Sequence, residues 1–191
     1  MSFVITIAGG TASGKTTIAK ALAQKLEAQV LTHDRYYKDI EVQAGHNFDE
    51  PDALDNDRII QDIAHLKNNQ NTSVPIYNFP THKRLTEEEI LKPSKFLIVE
   101  GILCLSVPGI AALSDLSIFV DTPDDIRLLR RVQRDVLERG RSIESVFTQY
   151  LSTVRPMHHL HILPAKEKAS LILDGTASIP QSVSTILNNL P

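Results

Sequence analysis

Residues 3–16, FVITIAGGTASGKT, decide the fold of this 191-residue chain. The first six are apolar or β-branched and predict a buried strand that runs into a glycine turn. Residues 9–16 fit the pattern G-x-x-x-x-G-K-[ST], and apolar spacing over residues 16–26 predicts that a helix follows. Because strand, glycine-rich loop and helix are the context that this pattern requires, the sequence predicts a phosphate-binding loop rather than a chance turn.

The residue types of this loop suit a nucleoside triphosphate with Mg²⁺. The glycines let consecutive backbone N–H groups point at phosphate, and the following helix adds its positive N-terminal end. Lys15 is placed to reach the β- and γ-phosphates, and the Thr16 hydroxyl is placed to coordinate Mg²⁺. The predicted nucleotide-binding residues of the loop are Gly9, Gly10, Thr11, Ala12, Ser13, Gly14, Lys15, Thr16 and Thr17.

Apolar patterning over the rest of the chain predicts an α/β fold. Predicted strands cover residues 3–8, 30–32, 96–99 and 116–120, and predicted helices cover residues 16–26, 56–66 and 124–137. Apolar strands that alternate with helices indicate a parallel sheet covered on both faces. Residues 74–85 contain two prolines and two aromatics and predict a small projecting hairpin, whereas the polar residues 39–51 predict a loop. No repeat or linker divides the chain, so residues 1–191 are predicted to form one domain.

Composition and charge narrow the class of protein. The 20 basic and 23 acidic side chains give a net charge of −3, which argues against nucleic acid or an anionic membrane as the partner. A single cysteine rules out an internal disulfide framework and indicates a reducing compartment. No apolar run approaches about 18 residues. We therefore expect a soluble, cytoplasmic protein.

The arginines are unevenly distributed, because six of the ten lie between residues 127 and 141. Those that recur at helical spacing on one face are Arg127, Arg130, Arg131 and Arg134. The opposite face, which is predicted to pack on the body of the protein, carries Leu129, Val132 and Val136. Asp135 and Glu138 are predicted to lie off the arginine stripe, and the stripe is therefore predicted to face an anion.

Two acidic residues follow predicted strands at the edge where open α/β sheets bind ligands. Asp34 comes after residues 30–32, and a carboxylate there could accept the proton of an attacking hydroxyl. A helix cap or turn residue is the alternative for this aspartate. Glu100 ends the strand at 96–99 and could stand near Mg²⁺, or it could be a solvated strand end.

Seven segments, taken in order, resemble the uridine kinase (uridine-cytidine kinase) family of the phosphoribulokinase and uridine kinase group. They are GGTASGKTT at 9–17, HDRYYKD at 33–39, NFDEPDALD at 47–55, PIYNFPTHKR at 75–84, VEGIL at 99–103, IFVDTPDDIRLLRRVQRDVLERGR at 118–141 and QYLSTVRPMH at 149–158. The resemblance implies a P-loop kinase with an acceptor-side insertion at about 34–90 and a helical lid at about 124–160. It also suggests a homotetramer.

The resemblance implies a role for individual residues. Asp34 is similar to the family's general base and, with Thr16 and Glu100, to its Mg²⁺ site. Asp49 is similar to the carboxylate that accepts hydrogen bonds from the ribose hydroxyls, with Arg131 also on the sugar side. The residues implied for the pyrimidine pocket are Tyr37, Tyr77, Phe79, His82 and Gln149. The lid arginines implied at the triphosphate are Arg134, Arg139 and Arg141. Either Tyr77 or Phe79 could instead be a buried side chain of the hairpin.

The implied activity is Mg²⁺-dependent transfer of phosphate from ATP or GTP to the 5′-hydroxyl of uridine or cytidine. Four departures from the family pattern concern the acceptor and the adenine side. They are a shortened loop at 38–48, Arg35, Asn78 and Asp174. The alternatives are a related kinase acting on another nucleoside, nicotinamide riboside or a sugar, and a nucleotide-binding regulatory module without turnover.

Overall fold

A computed structural model describes residues 1–39 and 47–191. Part of the loop predicted at 39–51, and of the shortened loop at 38–48, therefore lies outside the described residues. The strands are β1 Phe3–Gly9, β2 Gln29–Thr32, β3 Thr72–Asn78, β4 Lys83–Leu91, β5 Phe96–Glu100, β6 Leu116–Asp121 and β7 Leu171–Asp174. The helices are α1 Lys15–Leu26, α2 Asn56–Lys67, α3 Pro108–Leu113, α4 Asp124–Leu137, α5 Ile143–Gln149, α6 Arg155–Met157 and α7 Ile179–Leu187. No helix in these two ranges is long and apolar enough to cross a membrane.

The main sheet is parallel, with the strand order β2-β5-β1-β6-β7. Helices α2 and α3 pack on one face, where Ile59, Ile63 and Ile110 join the core. Helices α1 and α7 cover the other face through residues such as Leu22 and Val183. Burial on both faces explains the near-continuous apolar character of the strands, and it confirms the α/β fold predicted from the sequence.

The strand order brings several loops together at one edge of the sheet. Glu100, the last residue of β5, is in register with Thr32 of β2 and with Ile7 of β1. The loops that follow β1, β2 and β5 therefore start side by side, and the loop after β6 adjoins that of β1. Crevices at the carboxyl ends of parallel strands are where such sheets bind ligands.

The predicted hairpin is confirmed as a separate antiparallel pair, β3 and β4. Two arginines tie it to a 3₁₀ turn at His33–Tyr36. Arg35 donates from Nε to the Pro75 carbonyl at 2.8 Å. Arg84 donates to the carbonyls of Tyr36 and Tyr37 at 2.8 and 2.9 Å. The unusual Arg35 thus fixes the hairpin against the segment that carries Asp34.

The predicted orientation of α4 is wrong. Leu129, expected to pack on the body, is 67% exposed, whereas Arg127 and Arg131 of the arginine stripe are buried. Arg127 can be buried because Nη2 donates to Asp124 at 2.6 Å and Nε donates to the Thr122 carbonyl at 3.1 Å. Paired guanidinium groups tolerate an interior position that an unpaired charge would not.

The C-terminal strand β7 and helix α7 are not predicted from the sequence. The strand is only four residues long and completes the sheet beside β6. Helix α7 does carry a start signal, because the Ser178 hydroxyl accepts from the Gln181 backbone N–H and a proline follows in the first turn.

Candidate active site

The phosphate loop joins β1 to α1 in the strand-loop-helix arrangement that its sequence predicts. Gly14 caps α1 with φ of 100°, a left-handed conformation that glycine adopts at little cost. No side chain among the described residues caps the first turn of α1, so its N–H groups stay available to an anion. The nine predicted nucleotide-binding residues all lie on this loop and on the first turn.

Arg127 and Thr122 support the loop from beneath. The Thr122 hydroxyl donates to the Ser13 carbonyl at 3.0 Å. A Cβ atom at Gly10 would stand 2.5 Å from Nη1 of Arg127, so any larger residue there would make the loop or the guanidinium group shift. Nη1 is buried and has no hydrogen-bond partner among the described residues. The loop therefore rests on a buried positive charge.

Thr16, Glu100 and Asp34 are brought to the same edge of the sheet. The Thr16 hydroxyl donates to Oε2 of Glu100 at 3.1 Å. Burial raises the pKa of Glu100 and the charge of Asp34 raises it further, while Lys15 lowers it. A hydroxyl and two carboxylates are oxygen ligands of the kind that Mg²⁺ prefers. Within the described residues no group of three His, Cys, Asp or Glu could hold a metal.

Asp49, the predicted ribose ligand, is buried next to these charges. Burial raises its pKa, and the charge of Asp34 acts in the same direction. Arg131 and Lys15 oppose this rise. The predicted acceptor carboxylate, the predicted base and the phosphate-loop lysine therefore belong to one electrostatic cluster.

The predicted pyrimidine residues form a chain of aromatic contacts beside this cluster. The Tyr37 ring lies 5.4 Å from that of Tyr77, which lies 5.2 Å from that of Phe79. His82 stacks on Phe48 with ring centroids 4.9 Å apart. Tyr77 is buried, and its hydroxyl has no hydrogen-bond partner in the described part of the chain, whereas Phe79 is 52% exposed. An unpaired hydroxyl beside flat apolar rings suits an aromatic ligand with polar edges.

Phe48 was not among the pocket residues predicted from the sequence. It contacts both sides of the pocket, because its ring also lies 5.7 Å from that of Tyr37. The available signal was its position directly before Asp49. An aromatic residue next to a predicted sugar ligand is well placed to cover a base.

Arg131 connects the lid to the phosphate loop. Its Nη1 donates to the Thr11 hydroxyl at 2.9 Å, and its Nη2 donates to Oε1 of Gln149 at 2.9 Å. The same oxygen accepts from Nη1 of Arg141 at 2.6 Å. The side-chain oxygen of Gln149, a residue predicted at the pyrimidine pocket, thus accepts hydrogen bonds from two guanidinium groups.

The position of Asp135 differs from the one predicted for it beside the arginine stripe. It was expected to lie off the stripe, yet its carboxylate is fully buried among the arginines. Its ion pairs run to Arg131 at 3.6 Å, Arg134 at 2.8 Å, Arg139 at 3.3 Å and Arg141 at 3.5 Å. Asp135 stands four residues after Arg131, on the same side of α4, and Arg139 and Arg141 follow the end of α4 and fold back over it.

Comparison with known proteins places this chain in a family. The phosphoribulokinase / uridine kinase family profile matches residues 4–179. The uridine kinase of Chloroflexus aurantiacus (strain J-10-fl) is 42% identical over 192 residues, which cover 96% of this chain and 92% of that protein. The uridine kinase of Clostridium tetani is 38% identical over 195 residues, with coverage of 98% and 93%.

Two solved structures share the fold. Phosphoribulokinase from Rhodobacter spheroides has a TM-score of 0.68 at 15% identity, covering 92% of this chain and 73% of that one. A possible uridine kinase from Bacillus stearothermophilus has a TM-score of 0.60 at 19% identity, covering 91% and 89%. Both confirm the predicted fold, a P-loop NTPase-type parallel sheet covered by helices on both faces.

Proposed function

The chain belongs to the phosphoribulokinase / uridine kinase family, and we propose that it transfers the γ-phosphoryl group of ATP or GTP to the 5′-hydroxyl of uridine or cytidine. The observation that carries this proposal is the cluster in which the charges of Asp34 and Lys15 both act on the buried Asp49, beside an aromatic pocket. Relatives about 40% identical over nearly the whole chain carry the name uridine kinase, which favours a pyrimidine nucleoside over the other acceptors.

Asp34 is the proposed general base. It follows β2 at the crevice and lies close enough to Glu100 and Asp49 to raise the pKa of both. Its carboxylate takes the proton of the 5′-hydroxyl as the oxygen forms a bond to the γ-phosphorus. The bond from that phosphorus to the β–γ bridging oxygen breaks, and the nucleoside diphosphate leaves with its electron pair.

The phosphate loop and the lid hold the transferred group. Lys15 and the loop amides bind the β- and γ-phosphates, and Arg134, Arg139 and Arg141 neutralise the charge that develops on the equatorial oxygens. The lid at about 124–160 is proposed to exclude water over the phosphates, since water would otherwise compete with the acceptor. Nucleoside recognition is then the role of the acceptor-side insertion, at about 34–90.

The residues that would hold Mg²⁺ are Thr16, Glu100 and Asp34. Mg²⁺, when bound, supplies positive charge to the phosphate oxygens and orients them. Glu100 holds the Thr16 hydroxyl in place at the end of the loop. Burial raises the pKa of Glu100, because a charged carboxylate is costly to keep away from water.

Asp49 and the aromatic residues are proposed to select the nucleoside. A buried carboxylate that accepts from both ribose hydroxyls rejects sugars that lack one of them, because its oxygen would lose its partner. The Tyr77 hydroxyl and His82 are proposed to meet polar atoms of the base between the rings. Tyr37 keeps its proton, because burial and the neighbouring acids raise its pKa.

The experiment that tests this function is a turnover assay with product identification. Mg²⁺ with ATP or GTP is supplied with uridine, cytidine, 2′-deoxyuridine, adenosine, nicotinamide riboside and ribose. We expect uridine and cytidine 5′-monophosphate as the main products, with deoxyuridine turned over far more slowly. Turnover of a non-pyrimidine acceptor alone, or tight ATP binding without any product, would refute the proposal.

A further inference from the structure

The side-chain cluster around Asp135 is not explained by nucleotide or nucleoside binding alone. We define the arginine hub as Asp135 with Arg131, Arg134, Arg139 and Arg141. Asp135 has no exposed surface, while Arg134 and Arg141 have side chains 27% and 28% exposed and that of Arg139 is 52% exposed. The carboxylate is therefore inside and the guanidinium groups reach outward.

We propose that Asp135 is a positioning residue that holds the lid arginines in the arrangement needed for phosphoryl transfer. This inference rests on the proposed kinase function, since the arginines gain their role from it. Asp135 itself has no exposed surface that could meet phosphate or nucleoside. It acts through the guanidinium groups that it orients.

The two carboxylate oxygens divide the arginines between them. Oδ1 accepts from Nε of Arg134 at 2.8 Å and pairs with Arg139 at 3.3 Å. Oδ2 lies 3.6 Å from Nε of Arg131 and 3.5 Å from Nη1 of Arg141, and it forms no hydrogen bond with any described residue. Oδ1 thus holds Arg134 and Arg139. Oδ2 lies near Arg131 and Arg141, the two arginines that donate to Gln149.

A backbone hydrogen bond also contributes to the arginine hub. The N–H of Arg141 donates to the carbonyl of Asp135 at 3.0 Å, which folds the segment after α4 back onto the helix. Gly140 makes this reversal with φ of 64°. Arg139 and Arg141 therefore return to Asp135 through both main chain and side chain.

The charge balance suits a site for a polyphosphate. One carboxylate among four guanidinium groups limits their mutual repulsion but leaves an excess of positive charge. A second acid would cancel more of the attraction for phosphate. Without Asp135, four like charges within a few ångströms would separate, and the exposed Arg139 would move furthest.

The test compares Asp135→Asn with Glu138→Gln, which removes an exposed acid three residues away on the same segment. In Asp135→Asn we expect kcat to fall at least about tenfold with the KM for nucleotide within about threefold, because the arginines act mainly in the transition state. Glu138→Gln should retain wild-type turnover. Equal loss in both variants would overturn the specific role of Asp135.

A double-mutant cycle with Arg134→Ala separates positioning from a general loss of structure. If Asp135 acts through Arg134, adding Asp135→Asn to Arg134→Ala should slow turnover by less than about threefold. Additive losses would overturn the proposal. Wild-type turnover of uridine is measured first, so that an inactive wild type counts against the proposed function and not against this residue.

Asp135→Glu and thermal melting complete the design. Asp135→Glu keeps the charge and should recover part of the kcat lost in Asp135→Asn. Cooperative melting of either variant shows that the fold is present when its kinetics are compared. If neither variant melts cooperatively, Asp135 is needed for folding and the positioning role is refuted.

Discussion

The hydroxyl of Thr16 donates a hydrogen bond of 3.1 Å to Oε2 of Glu100, and this contact joins the phosphate loop to the end of β5 across 84 residues of sequence. Strand order makes the contact possible, because β5 lies directly beside β1. The two residues supply a hydroxyl and a carboxylate at the proposed site for Mg²⁺ and phosphate.

Glu100→Gln should weaken the binding of Mg²⁺ without unfolding the chain. The amide retains the shape of the side chain but loses the negative charge, so we expect the Mg²⁺ concentration for half-maximal turnover to rise about 10-fold or more. Steady-state assays over a Mg²⁺ series measure this. Glu144→Gln, an exposed acid in α5, should leave the curve unchanged, and an unchanged curve for Glu100→Gln would remove Glu100 from the metal site.

Asp34→Ala should reduce kcat by at least about 100-fold, because the proton acceptor for the 5′-hydroxyl is lost. Binding of the nucleotide should remain largely intact, since the phosphates are held by Lys15 and the loop. Calorimetry with nucleotide and single-turnover kinetics measure the two effects separately. Near-normal turnover would show that another group takes the proton.

Asp49 should govern the acid side of the pH profile for the nucleoside. Its pKa is raised, chiefly by burial, so it protonates at a higher pH than an ordinary carboxylate and loses its capacity to accept two ribose hydrogen bonds. We expect kcat/KM for uridine to fall on acidification before kcat falls. In Asp49→Asn the KM for uridine should be high and should no longer rise at low pH, and a profile like that of wild type would contradict the assignment.

Gly10→Ala should reduce nucleotide affinity about tenfold or more. The new Cβ would stand 2.5 Å from Nη1 of Arg127, so the loop and the guanidinium group that supports it must move apart. Calorimetry with ATP measures the loss. Adding Arg127→Met removes the clash and should restore part of the affinity, and if it restores none, the contact with Arg127 is not the cause.

His158 should make stability depend on pH. Its pKa falls from its ordinary 6.5 to about 4, first because it is buried and then because Arg127 is near, while Asp124 acts in the opposite direction. Between these values the unfolded chain binds a proton that the folded chain does not, so stability is highest above about pH 6.5 and is lost as the pH falls toward 4. The loss is about 1–3 kcal/mol from this residue.

His158→Gln should therefore flatten the change in unfolding free energy between pH 7 and 4.5, as measured by urea denaturation. His159→Gln changes a neighbouring, half-exposed histidine and serves as the matched control. An equal flattening in both variants would show that position 158 has no special part in the acid response.

Much of the fold was predictable because its signals are local. The loop at 9–17, the buried strands and helices α1 and α2 follow from residue type and spacing within about ten positions. The hairpin followed from its prolines and aromatics. Strand β7 offered only four residues and little pattern, and the loop at 39–51 is partly outside the described residues.

The site was predictable only in part. Resemblance indicated its members, and the structure brings the acids and the aromatic residues to one edge of the sheet. Phe48 was missed because a single aromatic residue in a polar stretch carries no periodic signal. Asp135 was placed off the arginine stripe although it lies four residues after Arg131. The prediction of which face of α4 is buried was also wrong. Arg131 on the buried face bonds to Thr11 in the phosphate loop, more than 110 residues away, and local spacing does not reveal such a partner.

The sequence by itself determined the phosphate loop, the alternation of strands and helices, and the family. These depend on backbone conformation and on hydrophobic period, which neighbouring residues impose on one another. Only the tertiary structure decided that Arg127 lies beneath Gly10, that Thr16 meets Glu100 and that Asp135 gathers four arginines. A charged side chain is buried only where partners from distant segments pair with it, and no local pattern specifies those partners.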